Sequence, residues 1–404
     1  MSTLSATQAA DLVHAELWGR FIDTHGLIRD YVGETPTPED CRLGRPNAIG
    51  WWSPIENGPM FTGLYLPAMC ERARRSGDVS DAKDAGKLAW GLVTCASVSD
   101  VSGFIVRGVG TDGTCHYPMG SDDQTHPWFL GLHAYVKSGI PVDGERAAIV
   151  AKMVEVADVL ESTSWRCPCD GAFKGQFRGR FTGRLFRDAV RYLHLLRTMH
   201  DVTGDPVWLD RYLGALAEKP RGSDKTRVEI CGGGYPADRD VIANIDAHAL
   251  WIYVGCQWAL VELIAMDTDE AHLRHYRAGL AINADHARSA IDAYQVFDNN
   301  DDKVFGNANW REGYPTWFPQ TTQADALRQA KTGDREKLGA RKGYECRYMR
   351  NPLAGAVIIA LAGNPAHRAL VEQVICHYDY AKINMAELFF AECAYYALPG
   401  RLSE

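Results

Sequence analysis

The chain has no long apolar run: no stretch approaches the roughly 18 consecutive apolar residues that a membrane-spanning helix needs, so no membrane span is expected. It has no excess of positive charge either. Forty-three Lys and Arg stand against 51 Asp and Glu, a net charge of −8, which argues against a nucleic-acid surface. Metal-binding cysteine spacing is missing. Cys167-Pro168-Cys169 lacks the two-residue spacer of a zinc knuckle, and Cys231 is followed by three glycines with no histidine nearby, so neither a metal nor a cofactor is expected. No Gly-x-Ser-x-Gly occurs, and no Gly-Lys-Ser/Thr follows the glycines of Gly108–Gly113, which removes a serine hydrolase elbow and a phosphate loop. The residues Met1–Ala10 contain no basic segment followed by an apolar one, so no secretory signal is read there. Eleven cysteines, an odd number, sit mostly singly in apolar patterns, as at Cys70, Cys95, Cys256 and Cys393. They are expected to be reduced, buried thiols of a cytoplasmic protein.

What is present is a globular composition, 46% hydrophobic and 23% charged, arranged in a repeat. Turn signals recur at Gly77, Gly139 and Gly204, spaced 62 and 65 residues apart, then at Asp267-Thr268-Asp269 and Gly363-Asn364-Pro365. Apolar residues flank these turns at helical intervals, for example Leu185, Phe186, Ala189, Val190, Leu193 and Leu196. Helices are expected at 6–23, 57–75, 80–99, 122–138, 143–163, 183–201, 206–217, 241–266, 270–294, 350–362, 366–380 and 383–397. Strand signals are confined to pieces such as Gly103–Arg107 and Arg227–Ile230.

Six helical hairpins in one domain over 1–404 predict an all-α fold, an (α/α)6 toroid with inner and outer helix rings. Tight turns alternate with the long segments 24–56, 100–121, 164–182, 218–240 and 295–349, which must then share one face. The last connection, 381–382, departs from that alternation. Inner-helix N-termini would point into this mouth with unpaired N–H groups, favouring an anionic or carboxylate-bearing ligand.

The long segments carry chemistry. Trp51 and Trp52 are suited to stacking on a sugar face, with Glu56 and Asn57 at the rim, although a tryptophan here also suits the core and Glu56 the helix dipole. Ser121 and Gln124 have the spacing of a capping box, which places Asp122 and Asp123 in a first helical turn. Acidic residues there are ordinary, but two carboxylates together also raise one another's pKa, as a general acid requires. As an exposed first-turn carboxylate, Asp122 should contribute only about 0.3–1 kcal/mol to stability. Arginines and aromatics crowd the other segments: Arg107, Arg178, Arg180, Tyr235, Trp310, Arg311, Tyr344 and Arg347. Guanidinium forks on one face of an acidic protein suit carboxylate recognition, though surface solvation accounts for arginines as well.

The hairpin repeat, the Trp-rich first segment and Asp122-Asp123-Gln124-Thr125-His126-Pro127-Trp128-Phe129-Leu130 resemble the (α/α)6 toroid carbohydrate enzymes, especially the unsaturated glucuronyl and rhamnogalacturonyl hydrolases. In that family an inner helix opens with an Asp-Asp or Asp-Asn pair whose first member works as acid and base; Asp122 is the matching position. The resemblance implies hydrolysis of a small, anionic, uronate-containing oligosaccharide. Asp122 would be the proton donor, with Glu56 or Asp123 as second carboxylate. Arg107 and Arg311 would hold the substrate carboxylate, and Trp51, Trp52 and Trp310 would stack on sugar. A lyase would instead use Tyr117, Tyr235, Tyr344 or His116 as base, and an epimerase His248 and His377.

Overall fold

The computed structural model describes residues 4–236, 249–332 and 337–399. The chain is 63% helix and 3% strand, an all-α fold. Twelve helices form its body: α1 Ala6–Arg20, α2 Gly58–Ser76, α3 Val79–Cys95, α4 Asp122–Lys137, α5 Asp143–Ser162, α6 Phe186–Thr203, α7 Pro206–Ala217, α8 Val254–Met266, α9 Glu270–Ala290, α10 Asn351–Leu361, α11 Arg368–Ile375 and α12 Phe389–Ala397. The stretch 241–248, expected to begin α8, lies outside the described residues.

Burial separates the helices into two kinds. The even-numbered ones are enclosed: α2 buries every residue from Gly58 to Cys70, and α10 every residue from Pro352 to Leu361. The odd-numbered ones carry one apolar stripe, as in α5, which buries Ile149, Met153, Val156, Ala157 and Leu160 at helical spacing. Contacts follow the same division. α2 packs on α4, α4 on α6, α6 on α8, α8 on α10, α10 on α12, and α12 returns to α2. α3 leans on α2 and α4, α5 on α4 and α6, α9 on α8 and α10, and α11 on α10 and α12.

The closing contact of this series is polar as well as apolar. The Tyr65 hydroxyl donates to the buried Glu392 at 2.6 Å, and Arg72 reaches the same carboxylate at 3.4 Å, while Phe61 and Phe389 pack with centroids 5.4 Å apart. α2 and α4 meet backbone to backbone. A Cβ at Gly63 would fall 2.0 Å from the Pro127 carbonyl, and one at Gly131 2.7 Å from the Gly63 Cα.

The long connections all precede even-numbered helices, and they touch one another. Trp52 Nε1 donates to the Ala330 carbonyl at 2.7 Å, His116 meets Asp170 at 2.7 Å, Gln323 donates to the Phe177 carbonyl at 2.9 Å, and Arg184 donates to the Gly222 carbonyl at 3.1 Å. The last connection is longer than the sequence suggested, since α11 ends at Ile375 and α12 starts only at Phe389. It joins the same group: the Ala386 N–H donates to the Asp30 carbonyl at 2.9 Å. The strand expectations fail. Arg227–Gly232 is a short helix capped by Thr226, and Gly103–Arg107 forms no strand, its backbone bonding instead to the Cys95 carbonyl and the Gly58 N–H. The only sheet among the described residues is the antiparallel pair β1 Arg166–Pro168 and β2 Phe177–Arg180, inside the third long connection.

Gly63→Ala is expected to destabilise the fold by about 1–3 kcal/mol or more, because neither backbone at that crossing can yield cheaply. Gly214→Ala, in α7 with open space around its Cα, should instead gain about 0.4–1 kcal/mol. Urea midpoints of the two variants check this pair. Equal midpoints would contradict the described crossing.

Candidate functional site

The start of α4 is not built as its sequence suggests. Ser121 makes no capping bond to the helix; its hydroxyl donates to Asp123 and accepts from Arg107 Nη2 at 2.8 Å. Gln124, fully buried, reaches across to α2, where its amide donates to Asn57 Oδ1 at 2.9 Å and its carbonyl accepts the Met60 N–H at 3.2 Å. The capping-box spacing is thus recruited for a tertiary tie. Arg107, 1% exposed, completes that tie: Nε donates to the Met119 carbonyl and Nη1 to the Glu56 carbonyl, both at 3.0 Å. Every arm of this guanidinium is committed to the fold, so Arg107 does not hold a substrate carboxylate.

These ties bring the N-termini of α2 and α4 together, and α6 adds its own first turn. Asp122 pairs with Arg191 of α6 at 2.6 Å, and its other oxygen lies against Gly179, where a Cβ would come within 2.2 Å. Arg191 is 3% exposed, so Asp122 is one half of a buried-cation pair rather than a free first-turn carboxylate, and its structural contribution exceeds the dipole figure. Asp123 does not supply a raised carboxyl. Partial burial opposes ionisation, but the charge of Arg107, the Ser121 hydroxyl, Arg191 and Arg178 outweigh it and hold the carboxyl below its ordinary value.

The carboxyl that Asp122 does push upward is Asp188, in the first turn of α6. Burial raises it most, the Leu185 N–H works against that at 3.0 Å, and the charge of Asp122 raises it further. A second group lies behind Glu56. Burial lifts the Asp30 carboxyl well above the usual range, the charges of Glu56 and Glu387 add to this, and the Asn57 amide and Lys342 oppose it. Asn57 donates to Asp30 from both its backbone N–H, at 2.8 Å, and its side chain, at 2.7 Å. Glu56 accepts the Trp52 N–H at 2.9 Å and faces Lys342 at 3.7 Å.

Of the two tryptophans, Trp52 is already engaged. Its backbone is left-handed at φ 73, and the Lys342 ammonium covers its ring at 4.2 Å. Trp51 is half-buried, and Arg178 lies over its ring at 5.7 Å. Arg178 makes no hydrogen bond or ion pair among the described residues; burial and the charge of Arg107 pull its pKa down, and the charges of Asp123 and Asp122 oppose this only in part. It is a cationic fork with free donors beside two carboxylates and an indole.

Other expected residues stand elsewhere. Tyr117 is fully buried with its hydroxyl on the Arg45 carbonyl, and Tyr235 is buried, stacked on Tyr253 at 4.3 Å and hydrogen-bonded to the Asn283 carbonyl, so neither is an accessible base. His116 has both ring nitrogens occupied, by Thr114 at 2.8 Å and Asp170 at 2.7 Å. Trp310 is 1% exposed and donates to the Glu34 carbonyl, and Arg311 is bound to Glu34 and Asp40, which withdraws both from sugar contact. The Tyr344 hydroxyl serves Val296 and Asp298. Arg347 is exposed beside Tyr348, and Arg180 is exposed in the hairpin that covers Asp122. His377 touches the Phe297 carbonyl on the outer side by α11, and His248 lies outside the described residues.

The sequence reading missed Arg191, Asp188, Asp30 and Lys342. Asp188 and Arg191 are three apart on α6, so they share a face, and an acid and a base on the enclosed face of a buried helix was the available signal. Asp30 and Lys342 reach the site only through long connections. The chain matches no protein-family model, no curated protein and no solved structure.

Arg107→Met should cost about 3–5 kcal/mol, as expected when a buried charge network loses its centre. Arg178→Met should cost less than about 1 kcal/mol, because that guanidinium makes no hydrogen bond or ion pair and its one contact is over the Trp51 ring. Thermal melts of both variants measure the contrast, and a large loss in Arg178→Met would make Arg178 a structural residue.

Proposed function

We propose that the chain is an (α/α)6 toroid that hydrolyses a glycosidic bond in a uronate-containing oligosaccharide at the mouth formed by its long connections. The closed series of contacts from α2 through α12 supports the toroid. The observation that carries the substrate class is Arg178: a guanidinium with free donors over Trp51 suits a sugar ring that stacks on indole and presents a carboxylate to the fork.

Two carboxylates in unlike surroundings suit the chemistry. Asp188 keeps its proton longer than an ordinary aspartate and gives it to the leaving oxygen as the glycosidic bond breaks. Asp122, paired with Arg191 at 2.6 Å, assists the water that supplies the new C–O bond or attacks the anomeric carbon itself. Glu56 stands half-buried at the rim, whereas Asn57, buried and bonded to Asp30 and Gln124, is withdrawn from it. The lyase reading draws less support, since Tyr117 and Tyr235 are buried and His116 is doubly bonded.

Asp122→Asn should lower turnover of uronate oligosaccharides by about 10² to 10⁴. It should also lower the melting temperature, because Arg191 loses its partner. The decisive readout is therefore the pH profile. Activity that needs protonated Asp188 falls as pH rises through the raised pKa of that group, and Asp188→Asn should remove this limb along with most of the rate. An Asp188→Asn enzyme with the wild-type profile would refute the acid assignment.

A further inference from the structure

The far side of the same buried helices holds a second polar cluster that the site at the mouth does not use. His133 of α4, His194 of α6 and Glu262 of α8 each bring one donor atom within 4.8 Å of the others. Glu262 Oε2 receives both rings, His133 Nδ1 at 2.8 Å and His194 Nε2 at 2.6 Å. The second nitrogen of His133 meets Asp201 at 3.0 Å, and Lys137 meets the same carboxylate at 2.9 Å. His194 is fully buried, and its Nδ1 has no partner. Next to it His126, also fully buried, leaves both ring nitrogens without a partner, with centroids 5.0 Å apart. Glu262 also lines a cavity of about 430 Å³ at the C-terminal ends of α2, α4, α8, α10 and α12.

We propose that His133, His194 and Glu262 form a binding site for a divalent transition-metal ion of the zinc class. Two imidazoles and one carboxylate from three different helices are the donor set of an open zinc site, and the adjacent cavity leaves room for a fourth, water ligand. Asp201 stands where the outer partner of a metal-bound histidine belongs, orienting the His133 ring from behind. The hydrogens now directed at Glu262 leave the two coordinating nitrogens as the ion enters. His133 gives its hydrogen to solvent and keeps the one facing Asp201; His194 carries its hydrogen on the nitrogen that is now without a partner. Bonds of roughly 2.0–2.1 Å require ligand atoms about 3.3 Å apart, so the present contacts of 2.8 and 2.6 Å open by about 0.5 and about 0.7 Å. The ion would tie α4, α6 and α8 together opposite the mouth.

The test is zinc titration of metal-stripped full-length protein against a chromophoric chelator, with Co²⁺ as a spectroscopic stand-in. The expected result is one equivalent bound and a higher melting temperature with zinc. Cobalt should give the visible bands of a four-coordinate nitrogen and oxygen site without a thiolate charge-transfer band, which excludes capture by the cysteines. The double variant His133→Gln/His194→Gln should bind at least 100-fold more weakly, and Asp201→Asn, which keeps all three ligands, about 10- to 100-fold more weakly. Folded wild-type protein that binds no zinc, a thiolate band with cobalt, or undiminished affinity in Asp201→Asn together with the double variant would overturn the proposal.

Discussion

The buried guanidinium of Arg107 is the constraint on which the mouth depends. It joins the Glu56 carbonyl at the entry to α2, the Met119 carbonyl and the Ser121 hydroxyl at the entry to α4. With no solvent to replace them, these bonds fix two helix starts against each other, and the Gly63 and Gly131 contact lets the helices follow at backbone distance. Glu56, Asp122 and Asp123 stand where they do because of that clamp. Arg191 then draws α6 into the group through Asp122, so one charge pattern spans three buried helices.

That pattern explains why two neighbouring aspartates behave differently from what adjacency alone suggests. Asp122 and Asp123 sit among Arg107, Arg178 and Arg191, and cations offset their mutual repulsion. The repulsion is expressed one helix away, at buried Asp188, where burial and the charge of Asp122 outweigh the Leu185 N–H, Arg187 and Arg191. Asp30, behind Glu56, is lifted by the same mixture of burial and like charge. The proposed role of Asp188 as the group that holds the proton rests on these surroundings.

Much of the architecture was legible because helical periodicity and turn residues are local. The expected 122–138 compares with Asp122–Lys137, and 143–163 with Asp143–Ser162. The last hairpin was misread because apolar residues run on through Tyr378, Tyr380, Ile383 and Met385, which are buried in an irregular connection around two short 3₁₀ turns, Tyr380–Lys382 and Ala386–Leu388, instead of in continuous helix. The site was less legible, since a residue's role there is settled by partners far away in the chain. Ser121 and Gln124 fit a capping box until Arg107 and Asn57 compete for them. Trp310 and Arg311 read as ligand-facing until Glu34 and Asp40 occupy them. Nothing within a few residues of His133 announces Glu262, which lies 129 positions on.

The central claim is that an anionic sugar is bound at Arg178 and Trp51 and cleaved by water. The most direct measurement compares a uronate-terminated oligosaccharide with its carboxyl-reduced, neutral counterpart, following reducing-end release and ultraviolet absorbance together. The account predicts reducing ends without a new ultraviolet chromophore from the uronate substrate, and far slower release from the neutral one. Equal cleavage of both, or a new chromophore produced by elimination, would contradict it.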